Sequence, residues 1–173
     1  MSNKFQSATP LGKNNTGTDT WITPNWIIDK IGRSDLDPCG YLINGSPIVE
    51  TAHYYFTENT NGLIQDWSKF KTVFVNFPYS DSFNWMKKCS EEANKGCELI
   101  VLCFCRCETR AWQQNVKNCT GINLINKRIK FLTADGIEKG NGNCPSVLIA
   151  WGENAFNRIK NVDGLIFRSE KKL

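Results

Sequence analysis

The residues of this chain best suited to chemistry are Asn76, Phe77, Pro78 and Tyr79, which follow the apolar run 72–75. The amino group of a nucleobase is a poor nucleophile because its lone pair is delocalised into the ring. If two fixed oxygens accept its N–H hydrogens, the nitrogen is drawn towards tetrahedral geometry and can attack an electrophile. The side-chain carbonyl of Asn76 and the main-chain carbonyl of Phe77 can supply those oxygens. The tetrapeptide therefore predicts a site that activates an amino group, as N-methylation requires.

Pro78 and Tyr79 complete this site in different ways. Proline restricts the preceding residue to extended backbone angles, so Pro78 would hold the Phe77 carbonyl in one direction. A base that has left its duplex recovers about 1 to 3 kcal/mol by stacking on an aromatic ring, and Tyr79 offers such a ring. By itself the tetrapeptide permits adenine in DNA or RNA, the amino group of cytosine, or a protein glutamine amide as the acceptor. It is also compatible with a simple turn after a strand.

The elements that must position the tetrapeptide alternate between strands and helices. Helices are predicted from Thr23-Pro24 to Gly32, from Ser82 to about Lys95 and over residues 108–117, with Thr23 and Ser82 as N-terminal caps. This alternation favours an α/β fold with a mostly parallel sheet, helices on both faces and ligands at the carboxyl ends of the strands. The predicted strands cover residues 34–37, 72–75, 98–105, 121–125, 128–132 and 147–151.

Length and composition favour one folded domain. The chain has 173 residues, of which 40% are hydrophobic and 22% charged, as in ordinary folded proteins. Residues 1–19 are polar and have no apolar periodicity, so we expect a flexible N-terminal arm followed by a domain over residues 20–173. The longest apolar run, residues 99–104, is too short to cross a bilayer, and no signal segment is evident. We therefore expect a soluble, cytoplasmic chain that does not bind membranes.

The cysteines and the net charge give only weak evidence about metals and binding partners. The eight cysteines form no CxxC pair, and His53 is the only histidine, so we expect no bound metal. Cys103, Cys105 and Cys107 alternate along an apolar run and are expected to be buried on one face of the sheet. The formal charge of +4 at pH 7 is compatible with a polyanionic partner without demonstrating one.

The tetrapeptide matches the (Asp/Asn/Ser)-Pro-Pro-(Tyr/Phe) signature of amino-methyltransferases, with Phe77 in place of a proline. From about Thr20 to Trp151 the chain resembles the small phage-type DNA N6-adenine methyltransferase family, often called phage Dam. The other matching segments are Trp21-Ile-Thr23-Pro24, Asp37-Pro38-Cys39, Tyr54-Tyr55, Thr57-Glu58, Gly62-Leu63, Asp66-Trp67, Arg106, Thr109, Trp112, Arg128-Ile-Lys-Phe131 and Pro145-Ser146.

This resemblance implies a single-domain, Rossmann-like methyltransferase fold with S-adenosylmethionine as cofactor and DNA as partner. It also implies roles for individual residues. The target base would lie at residues 76–79, and Asn76 would also contact the cofactor. Arg106 and Arg128 would contact nucleic-acid phosphates or support the structure. The methionine end of the cofactor would be held by Thr23, Pro24, Asp37, Pro38 and Cys39, and its nucleoside would lie near Asn61 and Leu63.

Two features leave an alternative function open. Phe77 replaces the usual proline, and Asn61 stands where the family tends to have Asp, so a catalytically degenerate module that binds nucleic acid is the alternative to an enzyme. For the enzyme, a chain this small has no room for a separate target-recognition domain. We then expect a short DNA site that is read by loops such as the Gly- and Asn-rich residues 134–145, predicted to be mobile. A phage-type resemblance suggests protection against restriction in the cytoplasm of a host cell.

Overall fold

The described part of the chain, residues 21–139 and 144–170 of a computed structural model, folds around one seven-stranded sheet. The predicted N-terminal arm and residues 140–143 of the predicted mobile loop lie outside this part. In chain order, the elements are α1 (Asn25–Ile31), β1 (Ser34–Asp37), β2 (Leu42–Ile43), β3 (Ser46–Pro47), β4 (Ala52–Tyr55), β5 (Thr72–Val75), α2 (Ser82–Asn94), β6 (Glu98–Phe104), α3 (Arg110–Asn115), β7 (Gly121–Ile125), β8 (Ser146–Trp151), α4 (Glu153–Ile159) and β9 (Gly164–Arg168). Short 3₁₀ helices cover Gly62–Ile64 and Tyr79–Asp81.

The strand order in the sheet is β4-β1-β5-β6-β8-β7-β9. The first four of these strands are parallel to one another. β8 is antiparallel to both β6 and β7, and β9 is antiparallel to β7. Five strands of this sheet therefore point the same way. The predicted α/β fold with a mostly parallel sheet is confirmed, and the arrangement is consistent with a Rossmann-like methyltransferase fold.

Helices cover both faces of the sheet because its central strands are apolar on both sides. Val73 and Val75 of β5 belong to the core under α2 and α3, whereas Phe74 between them belongs to the core under α1 and α4. The same alternation runs through β6 and β8. A strand buried on both faces reads in sequence as a continuous apolar run. This is why the run 72–75 was recognisable as a central strand, and the expected helical layers are confirmed.

The prediction of a strand at residues 128–132 is wrong. Ile129 and Phe131 are buried in the core under α1 and α4, while Arg128 and Lys130 are exposed. Leu132 forms isolated β-bridges to residues 22 and 138, and the Phe131 carbonyl accepts from the Lys139 N–H at 2.7 Å, but the segment does not join the sheet as a strand. The alternating pattern is real, but β7 already has β8 and β9 on its two sides. The apolar side chains of the segment are therefore buried against the helical layer, without the segment joining the sheet.

The two predicted helix caps are also wrong. α1 begins at Asn25 with Pro24 at the N-cap position, and α2 begins at Ser82 with Asp81 at that position. Neither N-cap residue makes a side-chain capping hydrogen bond. The hydroxyl of Thr23 has another partner, described below. The predicted end of α1 at Gly32, which has a positive φ of 76°, is confirmed.

The cysteines follow the predicted pattern only in part. Cys103 is buried and Cys105 half-buried on the α2 and α3 side of the sheet, but Cys107 is exposed. The reason is that β6 ends at Phe104, so the strand alternation does not reach residue 107. Within the described ranges, the His, Cys, Asp and Glu side chains form no group of three or more that could hold a metal ion. None of the helices described there has the length and apolar character that crossing a bilayer demands.

Candidate active site

The candidate site lies at the carboxyl ends of the parallel strands. β1 pairs with β4 and β5, and β5 pairs with β6, so the residues that follow these strands meet at one edge of the sheet. Asp37 ends β1, Asn76 follows β5 and Phe104 ends β6. The fold therefore brings together predicted site residues from separate segments of the chain.

The Asn76 carboxamide is oriented by the segment that precedes α1. Its Nδ2 donates to the main-chain oxygen of Trp21 and, at 3.1 Å, to Oγ1 of Thr23. A main-chain carbonyl can only accept a hydrogen bond, so the amide atom that faces Trp21 must be the nitrogen. The amide oxygen is consequently turned away from these two residues, and the Tyr79 hydroxyl lies 3.5 Å from it.

The segment that orients Asn76 is itself anchored. Ile22 exchanges two main-chain hydrogen bonds with Leu132, with N–O distances of 3.0 and 2.8 Å. Thr23 is buried, with 2% of its surface exposed. Because both acceptors of the Asn76 amide lie on this short segment, its anchoring limits rotation of the carboxamide.

Phe77 and Pro78 hold the main chain of the tetrapeptide. The Phe77 side chain is buried in the core and its ring stacks on Trp85, with centroids 6.5 Å apart. It can therefore offer a ligand its main chain but not its ring. Pro78, with a φ of −59°, precedes the 3₁₀ turn Tyr79–Asp81, in which the Asp81 N–H donates to the Pro78 carbonyl at 3.2 Å.

Tyr79 belongs to an aromatic cluster that the sequence did not reveal. Its ring stacks on Phe104 with centroids 4.0 Å apart and planes 14° apart. Trp21 meets both rings edge-on, and Phe131 meets Trp21 and Phe104 edge-on. We call Trp21, Tyr79, Phe104 and Phe131 the aromatic cluster. Phe104 could have been recognised from sequence, because it lies one residue before the end of the predicted strand 98–105, the next predicted strand after the one that Asn76 follows.

The carboxylate of Asp37 shapes the turn after β1. Thr51 Oγ1 donates to its Oδ2 at 2.5 Å, and the Cys39 N–H donates to its Oδ1 at 3.1 Å. Only 5% of Asp37 is exposed. Burial raises the pKa of this carboxyl to about 6, although the hydrogen bonds from Thr51 and Cys39 act in the opposite direction. Both oxygens are thus engaged within the protein, and Thr51 is a partner that sequence reasoning missed.

Cys39 and the short helix Gly62–Ile64 complete this side of the site. Burial raises the pKa of the Cys39 thiol well above its ordinary value, and the main chain of Asn76 acts in the opposite direction. A Cβ on Gly62 would overlap the Pro38 carbonyl, so the helix and the turn after β1 are in direct contact. The residues predicted to hold the two ends of the cofactor are therefore neighbours.

Asn61 starts the short helix, and a local structural role accounts for its type. Its φ of 50° lies in the left-handed region, which Asn tolerates better than most residues. Its side-chain oxygen accepts a hydrogen bond from the Leu63 N–H at 3.2 Å. Leu63 is half-buried against the α2 and α3 core. Asn61 thereby caps the helix that packs on the turn after β1.

The two predicted arginines lie in different parts of the same edge. Arg106 is half-buried after β6, and its carbonyl accepts a hydrogen bond from Thr109 Oγ1 at 2.8 Å. Arg128 is exposed after β7. Since β8 lies between β6 and β7, the two arginines follow strands that are not neighbours in the sheet.

Comparison with known proteins places the chain in a family. The family described as DNA N-6-adenine-methyltransferase (Dam) matches residues 11–165. The match includes the tetrapeptide, the turn after β1 and both arginines. A search of curated proteins found no match. The family's description specifies methyl transfer to N6 of adenine in DNA, a reaction for which S-adenosylmethionine is the implied methyl donor. Because the match spans most of the sequence and the whole candidate site, this chain belongs to the DNA N-6-adenine-methyltransferase (Dam) family.

Proposed function

We propose that the chain methylates N6 of an adenine that has been swung out of DNA, with residues 76–79 as the target-base site. The observation that carries this proposal is the orientation of the Asn76 carboxamide. Its nitrogen is bound by Trp21 and Thr23, and its oxygen, which accepts a long hydrogen bond of 3.5 Å from the Tyr79 hydroxyl, has a second lone pair to offer a substrate. An adenine amino group offers N–H donors and therefore needs acceptors of this kind.

The tetrapeptide can activate the amino group without a titrating residue. Asn76 Oδ1 and the Phe77 carbonyl accept its two N–H hydrogens and draw the nitrogen towards tetrahedral geometry. Neither acceptor changes its charge near neutral pH. Phe77 is compatible with this mechanism because its ring is buried in the core and the mechanism uses only its carbonyl oxygen.

The aromatic cluster is the proposed platform for the extruded base. Leaving the duplex costs a base its stacking, and an aromatic ring returns about 1 to 3 kcal/mol. The Tyr79 hydroxyl lies 3.5 Å from the Asn76 oxygen, so a base held by that oxygen is close to the Tyr79 side chain. Phe104 stacks on Tyr79 and fixes the plane of its ring.

The other predicted site residues fit an S-adenosylmethionine site next to the tetrapeptide. When bound, this cofactor supplies an electrophilic methyl group on a cationic sulfur. The Asp37 carboxylate provides negative charge that suits a cation, and Leu63 provides apolar surface. Pro38 and Cys39 would contribute through the turn that Asp37 shapes, and Asn61 through the helix that it caps. Pro24 would contribute from the segment before α1. Thr23, on the same segment, accepts from the Asn76 amide, and we propose that it supports the site through Asn76 and not by binding the cofactor itself.

Product analysis tests this proposal. The full chain is incubated with isotope-labelled S-adenosylmethionine and with duplex DNA, RNA or protein in parallel, and each product is digested and identified by mass spectrometry. We expect label in N6-methyladenine from DNA. Label in N4-methylcytosine, or only in RNA or in protein glutamine, would contradict the proposal. Calorimetric titration that shows DNA binding but no cofactor binding would instead support the degenerate binding module.

A further inference from the structure

The segment after β7 carries exposed basic side chains, and its alternate residues are anchored in the core. Arg128 and Lys130 are exposed, while Ile129 and Phe131 are 2% and 0% exposed in the core. Because alternate residues are anchored, the two cations cannot move far relative to the fold. Extended backbone separates residues two apart by roughly 6 to 7 Å. Lys127 precedes this pair, and we call Lys127, Arg128 and Lys130 the basic row.

The neighbours of the basic row leave it positively charged. The Lys127 Nζ lies 3.9 Å from the centroid of the Trp26 ring, a cation–π contact that keeps the charge. Lys130 pairs with Glu138 at 3.2 Å, but both side chains are more than half exposed, and ion pairs of this kind are weak. Residues 127–139 together carry four cations and two acids. An anionic partner therefore gains more here than a neutral one.

The segment that carries the basic row also contacts the proposed target-base site. The Phe131 ring meets Trp21 edge-on with centroids 5.7 Å apart, and Leu132 exchanges main-chain hydrogen bonds with Ile22. Trp21 in turn holds the Asn76 amide through its carbonyl. The Ile129 and Phe131 side chains face the core, so Arg128 and Lys130 lie on the outer side of the segment that adjoins the site. A polyanion that delivers a base to Asn76 would reach these cations by extending its backbone over that outer side.

We infer that the basic row binds phosphates of the DNA strand beside the extruded adenine. This inference rests on the proposed function, because it takes DNA as the substrate. Contacts to phosphate position a protein on the duplex without reading its sequence. The row would therefore set the register of the chain on DNA, while base recognition is left to other residues.

The salt dependence of DNA binding tests this inference. The full-length wild type and the variants Lys127→Gln, Arg128→Gln, Lys130→Gln and the triple variant are titrated onto fluorescent duplex DNA from about 50 to 200 mM salt. We expect the slope of log K against log salt to become shallower by about 0.9 for each phosphate that is no longer neutralised, and by roughly three times that in the triple variant. The reduction in affinity should be equal for duplexes of different sequence. Lys87→Gln, an exposed lysine on α2 with its own partner Glu91, is the matched control and should leave the slope unchanged.

The outcomes separate this inference from the proposed function. An unchanged slope in a triple variant with wild-type circular dichroism would overturn the phosphate contacts, even if N6-methyladenine forms. A shallower slope without any methylated adenine would support the contacts and contradict the proposed activity. A reduction in affinity that differs between DNA sequences would also overturn the inference, because phosphate contacts carry no sequence information.

Discussion

Asp37 and Asn76 follow strands that are neighbours in the sheet, yet they use their polar groups in opposite ways. Both oxygens of the Asp37 carboxylate accept hydrogen bonds from within the protein. In Asn76 the nitrogen is bound by Trp21 and Thr23, while the oxygen is turned away from them and accepts one long hydrogen bond, from the Tyr79 hydroxyl at 3.5 Å. A buried polar group whose hydrogen bonds are all made within the protein stabilises the fold, whereas a group with a lone pair still available can bind a ligand. The turn after β1 therefore shapes the site, and the tetrapeptide is the part that we propose acts on the substrate.

Replacing Asn76 should have the largest effect on activity. Asn76→Ala removes one of the two proposed acceptors, and losing one such group in other enzymes lowers kcat by about 10² to 10³. We expect methyl transfer to fall by at least this factor while the protein stays folded and still binds S-adenosylmethionine. Radiolabel transfer and calorimetry measure the two quantities. An active Asn76→Ala variant would remove the carboxamide from the mechanism.

Replacing Asp37 should instead reduce stability. Asp37→Ala leaves the Thr51 hydroxyl and the Cys39 N–H buried without their acceptor, and each such change costs about 1 to 3 kcal/mol. We expect a lower free energy of unfolding in urea. Asp66→Ala is a matched control, since this exposed aspartate also accepts from a nearby N–H and hydroxyl, those of Ser68. If the two variants were equally stable, Asp37 would not have the structural role given to it here.

The charge of Asp37 should also make stability depend on pH. Its pKa is about 6 in the folded protein and about 3.8 as the reference value, so between these values the folded state binds more protons than the unfolded state. The Asp37 contribution to stability is therefore fully present below about 3.8 and is lost as the pH rises through about 6. Urea unfolding at a series of pH values measures it. In Asp37→Asn this dependence should disappear, and a pH dependence identical to the wild type would contradict the assignment.

Replacing Thr23 should have the smallest effect, and it tests how the Asn76 amide is held. Thr23→Val keeps the shape but removes one of the two acceptors of the Asn76 amide, and one net hydrogen bond is worth about 0.5 to 1.5 kcal/mol, or roughly a 2- to 12-fold change. We expect kcat to fall by this factor, with Thr23→Ser close to wild type. If Thr23 acts through Asn76, the dissociation constant of S-adenosylmethionine stays the same. A weaker cofactor affinity with unchanged kcat would make Thr23 a cofactor contact instead.

The sequence predicted central elements better than peripheral ones. β5 and β6 are apolar on both faces, so their runs were recognisable, and the chemistry of residues 76–79 followed from their types. β4, α4 and β9 were not predicted, because short or exposed elements have weak apolar patterns. At segment 128–132 the sequence predicted an element that the structure does not have. Its alternation is typical of a strand, but packing against a helical layer produces the same pattern.

Residue types and local periodicity were enough to establish the α/β alternation and the resemblance to a methyltransferase family, and they also supplied the prediction that the tetrapeptide acts as a pair of acceptors. A sequence displays these properties directly. The direction of the Asn76 amide depends instead on the folded chain, because its partners Trp21 and Thr23 lie 55 and 53 residues earlier. The same holds for Asp37, whose Oδ2 accepts from the Thr51 hydroxyl 14 residues later, and for Phe104, whose ring stacks on Tyr79. Hydrogen-bond direction and ring stacking depend on which strand ends become neighbours, and only the folded sheet fixes that order.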